Sequence, residues 1–600
     1  MSRSIGADMS STTSPPRPQL ALCVGVTGHR QLTAKAQAAL TPVIARLLAD
    51  LASVTRALHG EHAGVFAPDE AAFYLLSGLA IGTDQMAARQ ALAGGYALRA
   101  VLPFAPAVYR KDFRGRDAKA FDALLAQSQA WSLPPQDGPR EKAYACGGES
   151  TVAQSDLLVA VWDGEPARGR GGTADVIEYA VRRGAPVIWI PADGVSPPSV
   201  LWAGFEGWAP DRLDRDCVPR RLLDAAVLKQ LLEAVLAPPS DGDERACVAW
   251  YLSERKPRWR WRMEYPALMA LVGAPLRPTR WGGGEDWQTF RDQPVAGSDA
   301  AAGGLAVLEE AFVWADGLAD HVAQSYRSGL VFNYVAAAGS VLMALLGIVL
   351  PPARIGLELA ELALIALLIL NTSAGARRQW HRRWLNYRYL AEQLRPLRSL
   401  KLLGAATPPR QVAAAIGPAG RWTDWYARAI WRQMGPPPTL GGAEVLAELV
   451  AHIAGQELDS QVRYNASNAE RMHRADHRLH LVGTALFVIT VAVGLASLAG
   501  LLLGGAALHR ASVFSILISA GLPTVGAALF GIRGQGDFVG AAGRSSETEA
   551  RLRAAAATLR SHPTDLMLSC RAAENAAATM LSDLTDWRTA YRHRKLAIPA

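Results

Sequence analysis

Four apolar stretches in the second half constrain this chain more than any other feature. They cover residues 329–350, 355–374, 481–503 and 511–532, and the last two contain no charged side chain. A helix needs about 20 residues to cross a hydrocarbon core, so each stretch is long enough. One such run alone could be a buried core helix; two uncharged runs this close together argue against that. Mean hydropathy over the 600 residues is only +0.08, so the signal lies in the distribution and not in the average.

Basic residues orient these stretches. The first two are separated by a turn with only Arg354, and the last two by one with His509 and Arg510. The other ends carry Arg377, Arg378, Arg382, Arg383 and Arg388, then Arg471, Arg474 and Arg478, then Arg533 and Arg544. The excess of Lys and Arg on one side predicts two hairpins with short external turns and both termini in the cytoplasm. The same arginines account for the net charge of +8 and the pI near 9.3, which speaks against direct nucleic-acid binding. The RWRWR segment at 258–262 reads as a headgroup-level or span-packing element. Glu358 and Glu361 stand one turn apart at the external end of the second stretch. They read either as interfacial carboxylates or as a ring at the mouth of an oligomeric cation pore. Gly500 and Gly504 have the spacing of close helix packing in lipid, within or between subunits. His473, His477 and His480 share a helical face beside arginines and read as interfacial. Five scattered cysteines with no CxxC pair predict neither a disulfide framework nor a structural metal site, and a reducing compartment. The Ser- and Pro-rich first residues predict no cleavable leader, and residues 1–18 a disordered end.

The first half alternates short apolar runs with helical segments. Strands are expected at 20–26, 72–76, 98–104, 156–162 and 186–190, and helices at 34–58 and 174–183. That alternation predicts an α/β Rossmann-like parallel sheet over residues 19–195. In such sheets ligands bind beyond the carboxyl ends of the strands. Three of those ends carry glycine-rich turns: Gly25, Thr27 and Gly28; Ser77 and Gly78 with Gly82, Thr83 and Asp84; and Gly171, Gly172 and Thr173. Glycine lets backbone N–H groups come close to a phosphate, and a helix N-terminus adds free donors, so three turns at one edge point to an anionic, nucleotide-like ligand. His29 and Arg30 suit an anion, Arg through a bidentate fork; the plainer reading has Arg30 capping a carbonyl or pairing with Asp84. No GxxxxGK[ST] occurs here, which speaks against a triphosphatase loop.

The order GVTGHR, SGLAIGTDQMAA, VLPF, VWDG and GGT resembles the SLOG superfamily, which includes the DNA-processing protein A group, LOG hydrolases and the N-terminal domains of melastatin-type channels. The resemblance implies a ligand pocket lined by Gly28, His29, Arg30, Ser77, Gly78, Asp84, Gly171, Gly172 and Thr173. LOG hydrolases carry a glutamate where this chain has Val176, with Glu178 two residues late, so binding without turnover is the expectation and no catalytic residue is assigned. The apolar hairpin followed by W-x-x-x-W-x-x-Y-R-x-L-A-E-x-L-R, residues 380–395, resembles the two-transmembrane SLATT effectors. The segment from Tyr464 to Trp587 has a similar plan, which predicts an internal duplication. Domains are expected at 196–304 (coupling), 305–403 (first hairpin), 404–463 (connection) and 464–600 (second hairpin).

Together these resemblances imply a homo-oligomeric effector of the bacterial inner membrane. A nucleotide-derived second messenger would be its ligand, the lipid bilayer its setting and antiphage defence its role. The alternatives are a membrane-tethered nucleotide-processing enzyme, with Glu178 or Asp84 as acid or base, and a non-lethal cation channel.

Overall fold

The computed structural model describes residues 13–135, 139–167, 169, 171–206, 213–257, 262–273, 302–408, 421–503 and 508–591. Residues 1–12, Arg168, Arg170, residues 258–261, Gly504 and the side chains of residues 508–514 and 583–591 lie outside the described set, and with them those parts of the sequence expectations.

The first half builds one sheet of eight strands: β1 (Ala21–Gly28), β2 (Ala72–Ser77), β3 (Ala97–Leu102), β4 (Ser128–Ser132), β5 (Leu157–Trp162), β6 (Val187–Pro191), β7 (Ser199–Leu201) and β8 (Arg220–Leu222). Their spatial order is β4-β3-β2-β1-β5-β6-β7-β8. The first six run parallel, with Val24 opposite Leu157 and Ala21 opposite Ala72; β7 and β8 pair antiparallel. The five expected strands are present within a residue or two. The sheet does not stop at residue 195, as the sequence reading had it, but continues through β7 and β8. These two are three residues long and carry two arginines, so they offer no apolar run to read.

Helices cover both faces of the sheet. The crossover helices are α1 (Ala34–Glu61), α2 (Thr83–Ala93), α3 (Gly115–Leu125), α4 (Arg140–Ala153) and α5 (Thr173–Arg182). Thr33 caps α1 by accepting from the Ala36 N–H at 3.1 Å. By length and hydropathy α1 could also cross a membrane. Yet Leu40, Ile44, Leu47, Leu48, Leu51 and Leu58 recur at three- and four-residue spacing and are buried in the sheet core, which makes it a cover helix. Each such side chain contributes about 1.5–3 kcal/mol on burial.

After α6 (Ala225–Leu236), α7 (Gly242–Leu252) and α8 (Glu264–Leu271) the chain becomes helical. Residues 404–463, which the sequence left nearly silent, contribute α13 (Trp422–Gln433), whose Trp422, Trp425 and Tyr426 are buried. Arg432 on α13 pairs with Asp156 at 2.6 Å, and Asp156 accepts the Cys23 N–H at 2.9 Å. The helix therefore closes the amino ends of β1 and β5 and leaves the carboxyl ends to the ligand edge.

Two helical units follow one plan. In the first, α9 (Ala302–Val349) turns into α10 (Arg354–Arg377), and Gln379, at φ 46°, leads into α11 (Trp380–Leu394) and α12 (Leu397–Leu403). In the second, after α14 (Ala443–His452), α15 (Asp459–Leu503) turns into α16 (Leu508–Gly536), and Asp537, at φ 49°, leads into α17 (Phe538–Ser561) and then α18 (Leu566–Tyr591). A non-glycine residue in the left-handed region costs about 1–2 kcal/mol. Its recurrence at the same point of both units marks a shared bend. The first apolar stretch is the second half of a longer helix, since the chain from Ala302 runs unbroken into it as α9.

The two units touch through small residues. A Cβ on Gly531 would fall 2.1 Å from the Tyr334 ring and one on Gly521 3.0 Å from Leu342, so α16 lies close against α9. The apolar stretches otherwise present their side chains outward: Ile355, Leu359, Leu362 and Leu370 on α10, and Leu481, Phe487, Leu495 and Leu498 on α15, are all exposed.

Candidate ligand pocket at the sheet edge

The strand order reverses between β1 and β5, and at that point a cavity of about 520 Å³ opens beyond the carboxyl ends of the strands. Loops after β1, β2, β3 and β5 and one face of α4 form its walls.

The β1 loop is fixed from below. Thr83 donates both its N–H (3.2 Å) and its hydroxyl (3.1 Å) to the His29 carbonyl, and the His29 ring Nε2 lies 3.0 Å from the Asp163 N–H. The ends of β1, β2 and β5 are thereby tied together. Arg30 stacks its guanidinium over the Tyr144 ring at 4.6 Å. It forms no ion pair among the described residues. The plainer reading of Arg30 as a cap is therefore not what the fold contains; of its pairing with Asp84 only an attraction without a direct bond remains, which favours the ionised carboxyl, and the guanidinium lines the cavity.

Asp84 is the one buried acid of the pocket. Burial pushes its carboxyl up from 3.8 to about 6, against the Ser77 hydroxyl, backbone N–H groups of Ala80 and Gly78, and the charge of Arg30, all of which favour the ionised form. Ser77 donates to Asp84 at 3.2 Å and accepts from the Leu79 N–H at 3.0 Å. Leu79 has φ 54°, a conformation costly for a bulky residue, at the turn that presents Asp84. Because the folded pKa lies above the unfolded one, the native state holds the extra proton between 3.8 and about 6. Stability therefore falls as pH rises through that window and stays lower above it. Asp84→Asn should raise the melting temperature at neutral pH and leave it unchanged in acid below the window. Equal melting of the two proteins at neutral pH would contradict this assignment.

At the third turn, Gly171 has φ 82° and donates its N–H to Asp175 at 2.9 Å, and a Cβ there would strike the Ala145 backbone nitrogen at 2.7 Å. Thr173 and Ala174 line the cavity in the first turn of α5, where N–H groups lack intrahelical acceptors. This is a place for an anion to dock.

Of the sequence candidates, Thr27, Gly28, His29, Arg30, Gly78, Asp84, Gly171, Gly172 and Thr173 line the cavity. Ser77, Gly82 and Thr83 stand behind it as supports. Gly25 serves packing: a Cβ there would fall 2.4 Å from the Ser155 hydroxyl. Glu178 is a correction. Its carboxylate accepts the Arg215 N–H at 3.0 Å and pairs with Arg182 at 2.8 Å, away from the cavity. Two residues are about 200° of helix, so Val176 faces the cavity and Glu178 the opposite side. No protein-family model matches this chain, and no curated protein is significantly similar to it.

Sequence reasoning missed the α4 wall: Glu141, Tyr144, Gly147, Gly148 and Thr151. Its sequence, REKAYACGGESTVA, has little apolar periodicity. Gly148 was a usable signal, since a Cβ there would meet Val176 at 2.5 Å. At the rim, Asp112 accepts from Arg140 at 2.7 Å and from the Tyr144 hydroxyl. Elsewhere, Glu358 is exposed and pairs with Arg354 at 2.8 Å, and Glu361 is half-buried. Among the described residues no group of His, Cys, Asp or Glu has metal-binding geometry.

Proposed function

We propose that this protein is a membrane-embedded sensor and effector. Its sheet pocket takes a nucleotide-derived ligand, and ligand binding rearranges two transmembrane hairpins into a permeation path. The outward apolar faces of α10, α15 and their partners support insertion, because an exposed face of this size in water would be strongly unfavourable. The arginine bias supports cytoplasmic termini in a bacterial inner membrane. The SLOG and SLATT resemblances support a role in antiphage defence, and four helices per chain enclose little lumen, which favours a homo-oligomer.

One observation carries the coupling. Two of the helices that line the ligand pocket, α4 and α5, end in bonds to the effector half. From α4, Ser150 and Gln154 donate to the Gly404 carbonyl at 2.9 and 3.0 Å, and Gln154 accepts from Lys401 at 2.6 Å. Just past α5, Arg183 pairs with Glu574 of α18 at 2.7 Å and donates to Thr407 at 3.0 Å; the Thr407 N–H reaches Glu574 at 2.8 Å. In turn, α18 packs on α11, α12 and α17. Two of these, α11 and α17, follow the left-handed bends below the hairpins. A ligand that favours one arrangement of α4 and α5 thus biases both units, as a shift of populations requires.

Glu574→Gln should uncouple the two halves: a ligand still raises the melting temperature, but release of dye from vesicles falls by an order of magnitude or more. Unchanged release would remove α18 from the account. The enzyme reading retains Asp84, whose raised carboxyl suits an acid or base near neutrality; consumption of the ligand would favour it. A selective cation channel would show altered selectivity on substitution of Glu361.

A further inference from the structure

The short helix α8 belongs to neither hairpin, yet it is bonded to both at the arginine-rich ends of the apolar stretches. Its leading end is held by the first unit. Arg262 donates to the Asn371 side-chain carbonyl at 2.6 Å and pairs with Glu264 at 2.8 Å; its backbone carbonyl accepts from Gln324 at 2.6 Å. The Tyr265 N–H donates to the Ser328 hydroxyl at 3.2 Å. Asn371 continues the chain inward, donating to Asn333 at 2.7 Å and to the Gly329 carbonyl at 3.0 Å, and Asn333 donates to Thr372 at 2.9 Å. The guanidinium of Arg262 also lies over the Trp380 ring at 5.5 Å, at the bend that leads out of α10.

The trailing end is seated in the second unit. Met269 and Val272 are buried with Ala475, Leu479 and Phe538 in a cluster separate from the main core. A Cβ on Gly273, at φ 77°, would run into the Arg478 guanidinium. Phe538 directly follows the bend of that unit. The helix therefore spans from one bend to the other, with a polar clamp at one end and an apolar plug at the other.

Buried amides and an arginine at the end of a transmembrane pair are costly unless they have partners, and here each is the other's partner. The clamp is reversible in kind: it joins α8 to the first unit through hydrogen bonds with neutral amides and one hydroxyl, which water can replace when the hairpins separate. The apolar plug is not replaced so cheaply, so separation should begin at Arg262.

We infer that residues 262–273 are an autoinhibitory brace that holds the two hairpins in their resting arrangement and must leave the first unit before a path opens. This rests on the reading of the hairpins as a ligand-opened path, and the test separates the two. The full chain is reconstituted in phosphatidylethanolamine–phosphatidylglycerol vesicles loaded with a fluorescent dye, and Arg262→Ala and Asn371→Ala are compared with the wild type. Both variants should release dye several-fold faster with no nucleotide added, and amides 264–271 should lose their hydrogen-exchange protection. In the Arg262→Ala background, Tyr265→Cys with Ser328→Cys should stop the release when oxidised and restore it when reduced. That reversal excludes simple misfolding as the source of the leak.

Tight vesicles with either variant, or amides that stay protected, overturn the brace. If the wild type then still releases dye on addition of AMP, ADP, ADP-ribose or cyclic di-AMP, only the brace has failed. If it releases dye under no condition, the path reading has failed as well.

Discussion

Arg30→Ala should sharply reduce ligand-induced stabilisation of the full-length protein. The residue lines the cavity, stacks on Tyr144 and forms no ion pair among the described residues, so its guanidinium donors are open to a ligand, while its charge also favours the ionised form of Asp84. A charge-assisted hydrogen bond is worth about 1.5–3 kcal/mol. Loss of a bidentate pair should therefore weaken a phosphate-bearing ligand by roughly one to two orders of magnitude. The ligand-free protein should melt as the wild type does, since an exposed stacked arginine contributes little to stability. Arg30→Lys should rescue only part of the affinity, because an ammonium cannot fork onto two oxygens. Full affinity in Arg30→Ala would move the ligand away from the β1 loop.

The largest effect on stability should come from Glu457→Ala. Glu457 is fully buried and accepts from Arg398 at 2.7 Å and from the Ser399 hydroxyl at 2.7 Å, at the π-helical turn Ile453–Leu458 that leads into α15. Removal of one partner of a buried pair leaves an uncompensated charge and costs about 3–5 kcal/mol. The pair itself contributes much less: Arg398→Met combined with Glu457→Leu should recover most of the loss, since apolar replacements of similar volume are often neutral. Chemical denaturation of the single and double variants measures both numbers. A double variant as unstable as Glu457→Ala would mean that the pair organises the turn beyond its own charge balance. Because Arg398 sits on α12, which packs on α18, the single variant should also loosen the pocket-to-hairpin link.

Legibility followed apolar continuity. β1, β2, β3, β5 and β6 are largely buried, so each appears as an apolar run, broken in β3 only by the buried Arg99, that ends in a polar or glycine turn. β4, SQAWS, lies at the sheet edge with its first three residues partly or fully exposed, and nothing in its composition marks it. The glycine turns led to the right edge of the sheet because tight turns and close approach both demand glycine there. They could not separate the two demands: Gly25 packs against Ser155, whereas Gly78 and Gly172 line the cavity. Glu178 was misjudged because a sequence offset of two reverses the face of a helix. The α4 wall stayed hidden since its two faces, one toward the ligand and one toward Gly404, are both polar or small. Trp425 and Tyr426 gave no signal of their depth, because their hydrogen-bond partners lie 189 and 410 residues away in sequence, Trp425 donating to the Leu236 carbonyl and Tyr426 to the Pro16 carbonyl.

The central claim is that occupancy of the sheet pocket changes the helical half. Dye release from vesicles carrying the full chain tests it most directly, with AMP, ADP, ADP-ribose and cyclic di-AMP added in turn and each nucleotide assayed for breakdown. The account predicts that at least one of them triggers release without being consumed, and that Arg30→Ala and Glu574→Gln each abolish the response. A nucleotide that raises the melting temperature of the same preparation, is steadily consumed and leaves the vesicles sealed would contradict it.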